Sequence, residues 1–345
     1  MRKNIWVDFG FQISAVVLAL LFTTIVLLIA GAQPFQAYFY VLKGIFSSVE
    51  NITNVLSAWA PLLLTTSGVL ITFAAGLWNI GIEGQIMAGA IFTTGALRML
   101  QDSSMPSGWI LVIGFLAGMI GGAFWGSLVG VLKTFGGVNE IFGGLGLNFL
   151  ATALALYLII GPWKRPGIAS TSGTLLFPNN LWLPTFPDVE LSPWALGLGI
   201  VVVVLTYFLL RGTYFGLRLK AVGKNPKAAF LIGIPTWQYS MLAFLICGIF
   251  AGAAGAIQVT SVYHRLIPAI SSGYGFLGLL VAMLINYQPI LIAPITLFFA
   301  ALNIGGIQLP IVLKLDSSLS GVLQGVLVLF VVLVEGARQR LFVKR

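Results

Sequence analysis

Long apolar runs separated by short polar stretches recur from one end of the chain to the other. Ten of them lie near 12–30, 57–76, 84–100, 109–132, 140–161, 194–210, 239–260, 274–287, 289–305 and 319–335. A run of about 20 apolar residues matches the thickness of a bilayer core when wound as a helix. A membrane barrel would instead show alternating segments of about 10 residues. The pattern therefore predicts an all-α polytopic membrane protein of about ten transmembrane helices, with residues 1–345 forming one transmembrane domain. The first run follows "MRKNIW" and is not trailed by a small-residue cleavage site and a soluble chain, so it reads as a retained first span. The longest polar connection, 162–193, is rich in Pro, Ser, Thr and Trp and reads as a loop with interfacial aromatics.

Composition agrees with the pattern. Of 345 residues 59% are hydrophobic and only 8% charged, with a mean hydropathy of +1.02, whereas soluble domains carry about 25% charged residues. The formal net charge of +9 reports topology rather than a nucleic-acid partner. With the N-terminus inside, twelve of the 18 Lys and Arg residues fall on the cytoplasmic side. The positive-inside rule thus puts both termini in the cytoplasm and the 162–193 loop outside. The single Cys247 excludes a disulfide framework and reads as a small core residue. His264 is the only histidine, so no His-based metal site is expected.

Three segments carry polar chemistry within this apolar background. "GLWNIGIEGQIMAGA", 76–90, holds Trp78, Asn79, Glu83 and Gln85 beside the glycines Gly76, Gly81 and Gly84. A buried carboxylate is costly unless it faces protein or water, and Gly81 and Gly84 allow a tight turn. Two readings stand: a capped turn at the cytoplasmic face, or a discontinuous helix whose polar side chains line a solute path. In "GGVNEIFGGLGLNFLATALALYLIIG", 136–161, Asn139 and Glu140 open a helix that carries Phe142 and Asn148. Helical steps set Glu140 and Asn148 about 80° apart, so they form either a cap with interhelical glue or a polar stripe along a pore. Gly143, Gly144 and Gly146 offer close approach. Asn286, in "LINYQP", reads as a path residue or a helix end before Pro289.

The third segment, 211–238, is basic and cytoplasmic. Asn225 followed by Pro226 is a helix start, and Gly233 a stop, which predicts a short helix "PKAAFLI" bearing Phe230, Leu231 and Ile232. It is either an interfacial helix lying on lipid or a docking knob for a cytoplasmic partner. No Walker-type GxxxxGK[ST] run is present, so nucleotide binding of that kind is not expected of this chain. The similarity of "AGLWN" (75–79) to "AMLIN" (282–286) is too short to establish an internal repeat.

Taken together, "GLWNIGIEGQIMAGA", "NEIFGGLGLNFLA" and "LRLKAVGKNPKAAFLIGI" resemble the permease subunits of bacterial ABC importers in the branched-chain amino acid and ribose permease superfamily. The "NIGIEGQ" form looks like its nucleoside and simple-sugar branch, and the resemblance runs from about Leu56 to Glu335. The glycine-rich "IFGGLG" departs from the Thr-rich family pattern at that place, while Asn139, Glu140, Leu147 and Asn148 match it. The resemblance implies a multi-pass plasma-membrane permease that pairs with an identical or homologous second permease. It further implies a cytoplasmic ATPase, often with two nucleotide-binding domains fused, an external substrate-binding lipoprotein, and ATP with Mg on the ATPase rather than on this chain, which is no enzyme itself. The implied coupling residues are Arg218, Ala221, Gly223, Lys224, Asn225, Pro226, Ala228, Ala229 and Gly233. The implied solute path includes Trp78, Asn79, Glu83, Gln85, Asn139, Glu140, Phe142, Asn148 and Asn286. Nucleosides are the expected cargo, and simple sugars the alternative. A secondary transporter independent of ATP is the rival class, and an intramembrane enzyme lacks the paired acids and histidines it would need.

Overall fold

The computed structural model describes residues 5–167, 172–187, 189–285, 288–316 and 318–342. Every regular element among them is helical: α1 (Ile5–Ile29), α2 (Pro34–Phe46), α3 (Val49–Ala74), α4 (Ile82–Leu100), α5 (Ser107–Thr134), α6 (Glu140–Ile160), α7 (Pro193–Arg211), α8 (Tyr214–Lys224), α9 (Pro226–Leu231), α10 (Thr236–Ile257), α11 (Tyr274–Leu284), α12 (Ile292–Gly306), α13 (Gln308–Leu313) and α14 (Ser318–Phe342). Each of the ten predicted runs overlaps a helix among the described residues. Six helical stretches are long and apolar enough to cross a membrane, or up to seven if the bent α1–α2 pair is one span. Tyr274–Leu284 and the apolar Ser318–Val334 are shorter.

The chain divides into two compact units, 1–55 with 297–345 and 56–296. In the first, α1 packs on α14 and α2 on α13. Helix α2 lies where the apolar pattern predicted only a connection. Gly31, at φ 77°, and Pro34, at the first turn of α2, set a bend of 110° between the two helices.

In the second unit α4, α5 and α10 form the packed centre. Small residues make this possible. Gly118, Gly122 and Gly126 recur every fourth position on α5 and meet the backbone of α10; a Cβ on Gly126 would sit 2.5 Å from the Phe244 carbonyl oxygen. Lipid tails are as apolar as leucine, so such close backbone approach, rather than water exclusion, holds membrane helices together. Helix α4 is buried along most of its length, including Glu83, Gln85, Thr93 and Thr94.

Two irregular features position the functional segments. Between α3 and α4 the chain leaves the helix at Ala75–Gly81, with Gly76 at φ 71°. After α10 the helix widens into a π-turn, Gln258–Val262, a feature often found at functional sites. The loop 172–183 pairs with this region through backbone hydrogen bonds: Thr174 N to Leu266 O at 2.9 Å, Phe177 N to His264 O at 2.8 Å and Leu183 N to Thr260 O at 2.9 Å. Trp182 stacks on His264 at 3.7 Å between ring centroids.

Candidate functional site

The α3–α4 break is fastened on every side by the polar residues that the sequence singles out. Asn79 and Gln85, both fully buried, exchange two amide hydrogen bonds: Asn79 Nδ2 donates to Gln85 Oε1 at 3.2 Å, and Gln85 Nε2 donates to Asn79 Oδ1 at 3.1 Å. Asn79 Nδ2 also donates to Cys247 Sγ on α10 at 3.0 Å. A buried amide without partners costs a few kcal/mol in an apolar medium, and this closed pair leaves neither side chain unsatisfied. Cys247 is thus more than a core filler, a role that a lone cysteine in an apolar run does not advertise.

Glu83 reaches across to another helix. Its Oε1 accepts from Phe276 N at 3.0 Å, in the first turn of α11, and it also bonds Ser271 and the Gly275 backbone. The amides at a helix start have no partner within their own helix, and a carboxylate there is favoured by the helix dipole. Glu83 therefore caps α11 although it sits in the first turn of α4.

Asn148 supplies the third fastening. Its Oδ1 accepts from Gly84 N at 2.8 Å, and its Nδ2 donates to Ile80 O at 2.9 Å, so one side chain spans the break from α6. Gly144, one turn before it, admits the break loop itself: a Cβ there would lie 2.6 Å from Gly81 N. The neighbouring Gly146 faces open space. Asn139 caps α6 by accepting from Ile141 N at 2.8 Å, and Glu140 pairs with Lys133 Nζ at 2.6 Å.

The structure thus gathers Asn79, Glu83, Gln85 and Asn148 around one break, with Glu140 at its edge. Trp78 remains 43% exposed and Phe142 73% exposed. Asn286 lies outside the described residues. Sequence reasoning missed Gln258, which opens the π-turn, and Ser271 and Phe276 from the segment after it. Gln258 Nε2 donates to Ile270 O and Ser272 Oγ, both at 3.2 Å. Only the polar "SSGYG" (271–275) beside an apolar run hinted at that cluster.

The basic segment 211–238 carries the short helix predicted for it. Asn225 Oδ1 accepts from Ala228 N at 3.0 Å, Pro226 takes the first helical position, and α9 stops before Gly233 at φ 85°. Ala229 is the buried residue of α9, whereas Phe230, Leu231 and Ile232 are 67%, 84% and 74% exposed. Helix α8 is fixed beneath it. Arg218 Nη1 donates to Tyr239 OH at 3.4 Å, Lys220 Nζ to Leu210 O at 2.7 Å, and the Asn225 amide to Ala221 O at 3.1 Å. Lys224 closes α8, and its neighbour Gly223 touches the break. A Cβ on Gly76 would lie 2.8 Å from Gly223 O, and one on Gly223 would collide with the Ala74 carbonyl. The α8–α9 segment and the α3–α4 break therefore meet backbone to backbone.

Comparison with known proteins gives this geometry its setting. The family model described as "Branched-chain amino acid transport system / permease component" matches residues 51–332. The glucose ABC transporter permease protein TsgB13 of Haloferax volcanii is 30% identical over 96% of this chain and 88% of its own length. The guanosine ABC transporter permease protein NupP of Bacillus subtilis is 25% identical over 92% and 91%. The nucleoside ABC transporter permease protein NupB of Lactococcus lactis is 26% identical over 84% and 82%.

Proposed function

The chain belongs to the branched-chain amino acid transport system permease component family, as a multi-pass plasma-membrane subunit of an ABC transporter, and from that premise we propose that it forms the path of an ATP-driven nucleoside importer. The observation that carries the proposal is the junction between α8–α9 and the α3–α4 break. An apolar knob of Phe230, Leu231 and Ile232 stands exposed on a capped helix. Its base touches the segment that holds the buried polar residues.

A cytoplasmic ATPase docks on that knob in this reading and supplies the ATP and Mg chemistry. A second permease copy or homologue completes the path, and an external lipoprotein delivers the solute on the side of the 162–193 loop. The whole chain acts as one transmembrane domain. Closure of the ATPase moves α9, and Gly223 passes the displacement to Gly76. Within the break the closed Asn79–Gln85 pair, Glu83 and Asn148 hold the wall in shape. Exposed Trp78 and Phe142, with Asn139 and Glu140 at the α6 start, face the solute. Because Glu140 is already paired with Lys133, the wall presents little net charge and suits an uncharged, hydroxyl-rich cargo.

Two of the three relatives carry nucleoside or guanosine in their names, which favours nucleosides. Glucose is the second reading, favoured by the name of the 30% identical relative. Replacing Lys224, Asn225 and Pro226 together tests the coupling assignment. Uptake should fall while the protein still inserts and the ATPase still hydrolyses ATP. Normal uptake in that variant sinks the assignment.

A further inference from the structure

A cavity of about 340 Å³ lies where the cytoplasmic segment meets the α3–α4 break. That volume falls within the range of small-molecule sites, roughly 300–1,000 Å³. Its walls come from five places in the chain: the break (Gly76, Leu77), the end of α5 (Lys133, Thr134), the start of α6 (Glu140), the α8–α9 junction (Gly223, Pro226) and the start of α10 (Trp237, Ser240). The transport path described above does not use Thr134, Trp237 or Ser240.

The lining selects a chemical class. The two charged residues are paired with each other at 2.6 Å, so the cavity as a whole offers no net charge to an ionic ligand. What remains is three hydroxyls, Thr134, Thr236 and Ser240, the polar edge of the ion pair, and an indole among the aliphatic Leu77, Val222 and Pro226. Thr134 Oγ1 is buried without a hydrogen-bond partner. A planar aromatic ring joined to a hydroxyl-bearing ring meets both halves of this lining, whereas a sugar alone meets only the polar half.

The position of the cavity gives its occupant a consequence. Gly76 and Gly223 line it and touch each other with no side chain between them. Any displacement of α9 relative to the break reshapes the cavity. A ligand that fits the present shape binds it better than any other and shifts the equilibrium by that difference in affinity.

We propose that this cavity is a cytoplasm-facing site for a nucleoside, and that its occupation by the accumulated solute slows the transport cycle. The proposal rests on the reading of the chain as a nucleoside permease. It adds a second, regulatory site that shares only Glu140 with the wall of the path.

The test uses the assembled transporter, with its ATPase and binding protein, in vesicles holding ATP. Uptake of labelled guanosine is measured with the interior empty of solute or loaded with unlabelled guanosine or glucose. With guanosine inside at ten times its dissociation constant, mass action leaves about one transporter in eleven free, so uptake should slow about tenfold. Glucose should slow it little. Ser240→Leu and Thr134→Leu each fill the cavity from a different wall. Either should transport normally from empty vesicles and escape the slowing, and the second serves if the first does not accumulate. Unslowed wild type, slowing that persists in both variants, or slowing by glucose alone overturns the proposal. Absent ATP-driven guanosine uptake in wild type counts against the nucleoside-permease reading instead. Equilibrium dialysis of guanosine against the permease with its ATPase, without the binding protein, then decides the cavity directly: fewer guanosines bound per permease in Ser240→Leu supports it, and an unchanged number removes it.

Discussion

Replacing Asn148 by alanine removes the one side chain that spans the α3–α4 break. Two hydrogen bonds go with it, from Gly84 N at 2.8 Å and to Ile80 O at 2.9 Å. Gly84 N is an amide in the first turn of α4, and its loss of a partner resembles the loss of an N-cap, about 1 kcal/mol. Ile80 O is left as an acceptor without its donor at a part-buried position, which costs about 1–3 kcal/mol. The sum is about 2–4 kcal/mol. At 1.4 kcal/mol per decade this shifts the folding equilibrium by roughly 30- to 700-fold. The assay is unfolding of the purified protein in detergent against denaturant, with Thr152→Val as control. Thr152 lies one turn on, is exposed, and bonds only the carbonyl of its own helix. Asn148→Ala should lower stability by about 2–4 kcal/mol and leave the slope against denaturant unchanged, while Thr152→Val should change it by less than about 0.5 kcal/mol. A loss below about 0.5 kcal/mol for Asn148→Ala refutes the view that this residue fastens the break.

Other consequences are open to direct measurement. Asn79→Leu and Gln85→Leu should each destabilise, and a double-mutant cycle should return a coupling of about 0.5–3 kcal/mol because the two amides satisfy each other; additive losses contradict the pairing. Asn225→Ala deletes the cap of α9 and should cost about 1 kcal/mol locally, seen as faster amide exchange in residues 226–231 and weaker coupling of hydrolysis to uptake. Gly223→Ala has no room for its methyl against the Ala74 carbonyl, so it should impair uptake more than Gly233→Ala, whose Cβ meets nothing within 4 Å and which is strained only by its positive φ. Burial holds the His264 imidazole below the ordinary histidine range, against the weaker raising influence of the Thr260 backbone and Glu190. As pH falls through about 6.5 the unfolded chain takes up a proton that the folded chain resists. Stability should therefore fall on acidification until the lower folded pKa is passed, and His264→Gln should flatten that slope in unfolding measured from pH 7.5 to 5.

Much of this structure was legible because membrane helices announce themselves by length and apolarity. The α9 boundaries were legible for a different reason: Asn225, Pro226 and Gly233 act through local backbone chemistry that needs no knowledge of the rest of the fold. Helix α2 was missed because Gln36, Tyr40 and Lys43 recur along its sequence as a polar side, so no unbroken run marks it although Ala37, Val41 and Ile45 are buried. The break at 75–81 could be seen, but not its fastenings. Glu83 caps a helix that begins 191 residues further on, and Asn79 meets Cys247 across 168 residues. Those contacts arise from packing of the break and α4 against α10 and α11, which glycine spacing permits but does not specify. The meeting of Gly76 with Gly223 was hidden for the same reason.

The central claim is that this chain moves a nucleoside only when a partner ATPase works. The most direct measurement is labelled guanosine accumulation in vesicles carrying the permease, its ATPase and its binding protein, with ATP or a non-hydrolysable analogue. The account predicts accumulation above the external concentration with ATP, none with the analogue, and none when Lys224, Asn225 and Pro226 are replaced. Accumulation that follows an ion gradient and persists without the ATPase would contradict it.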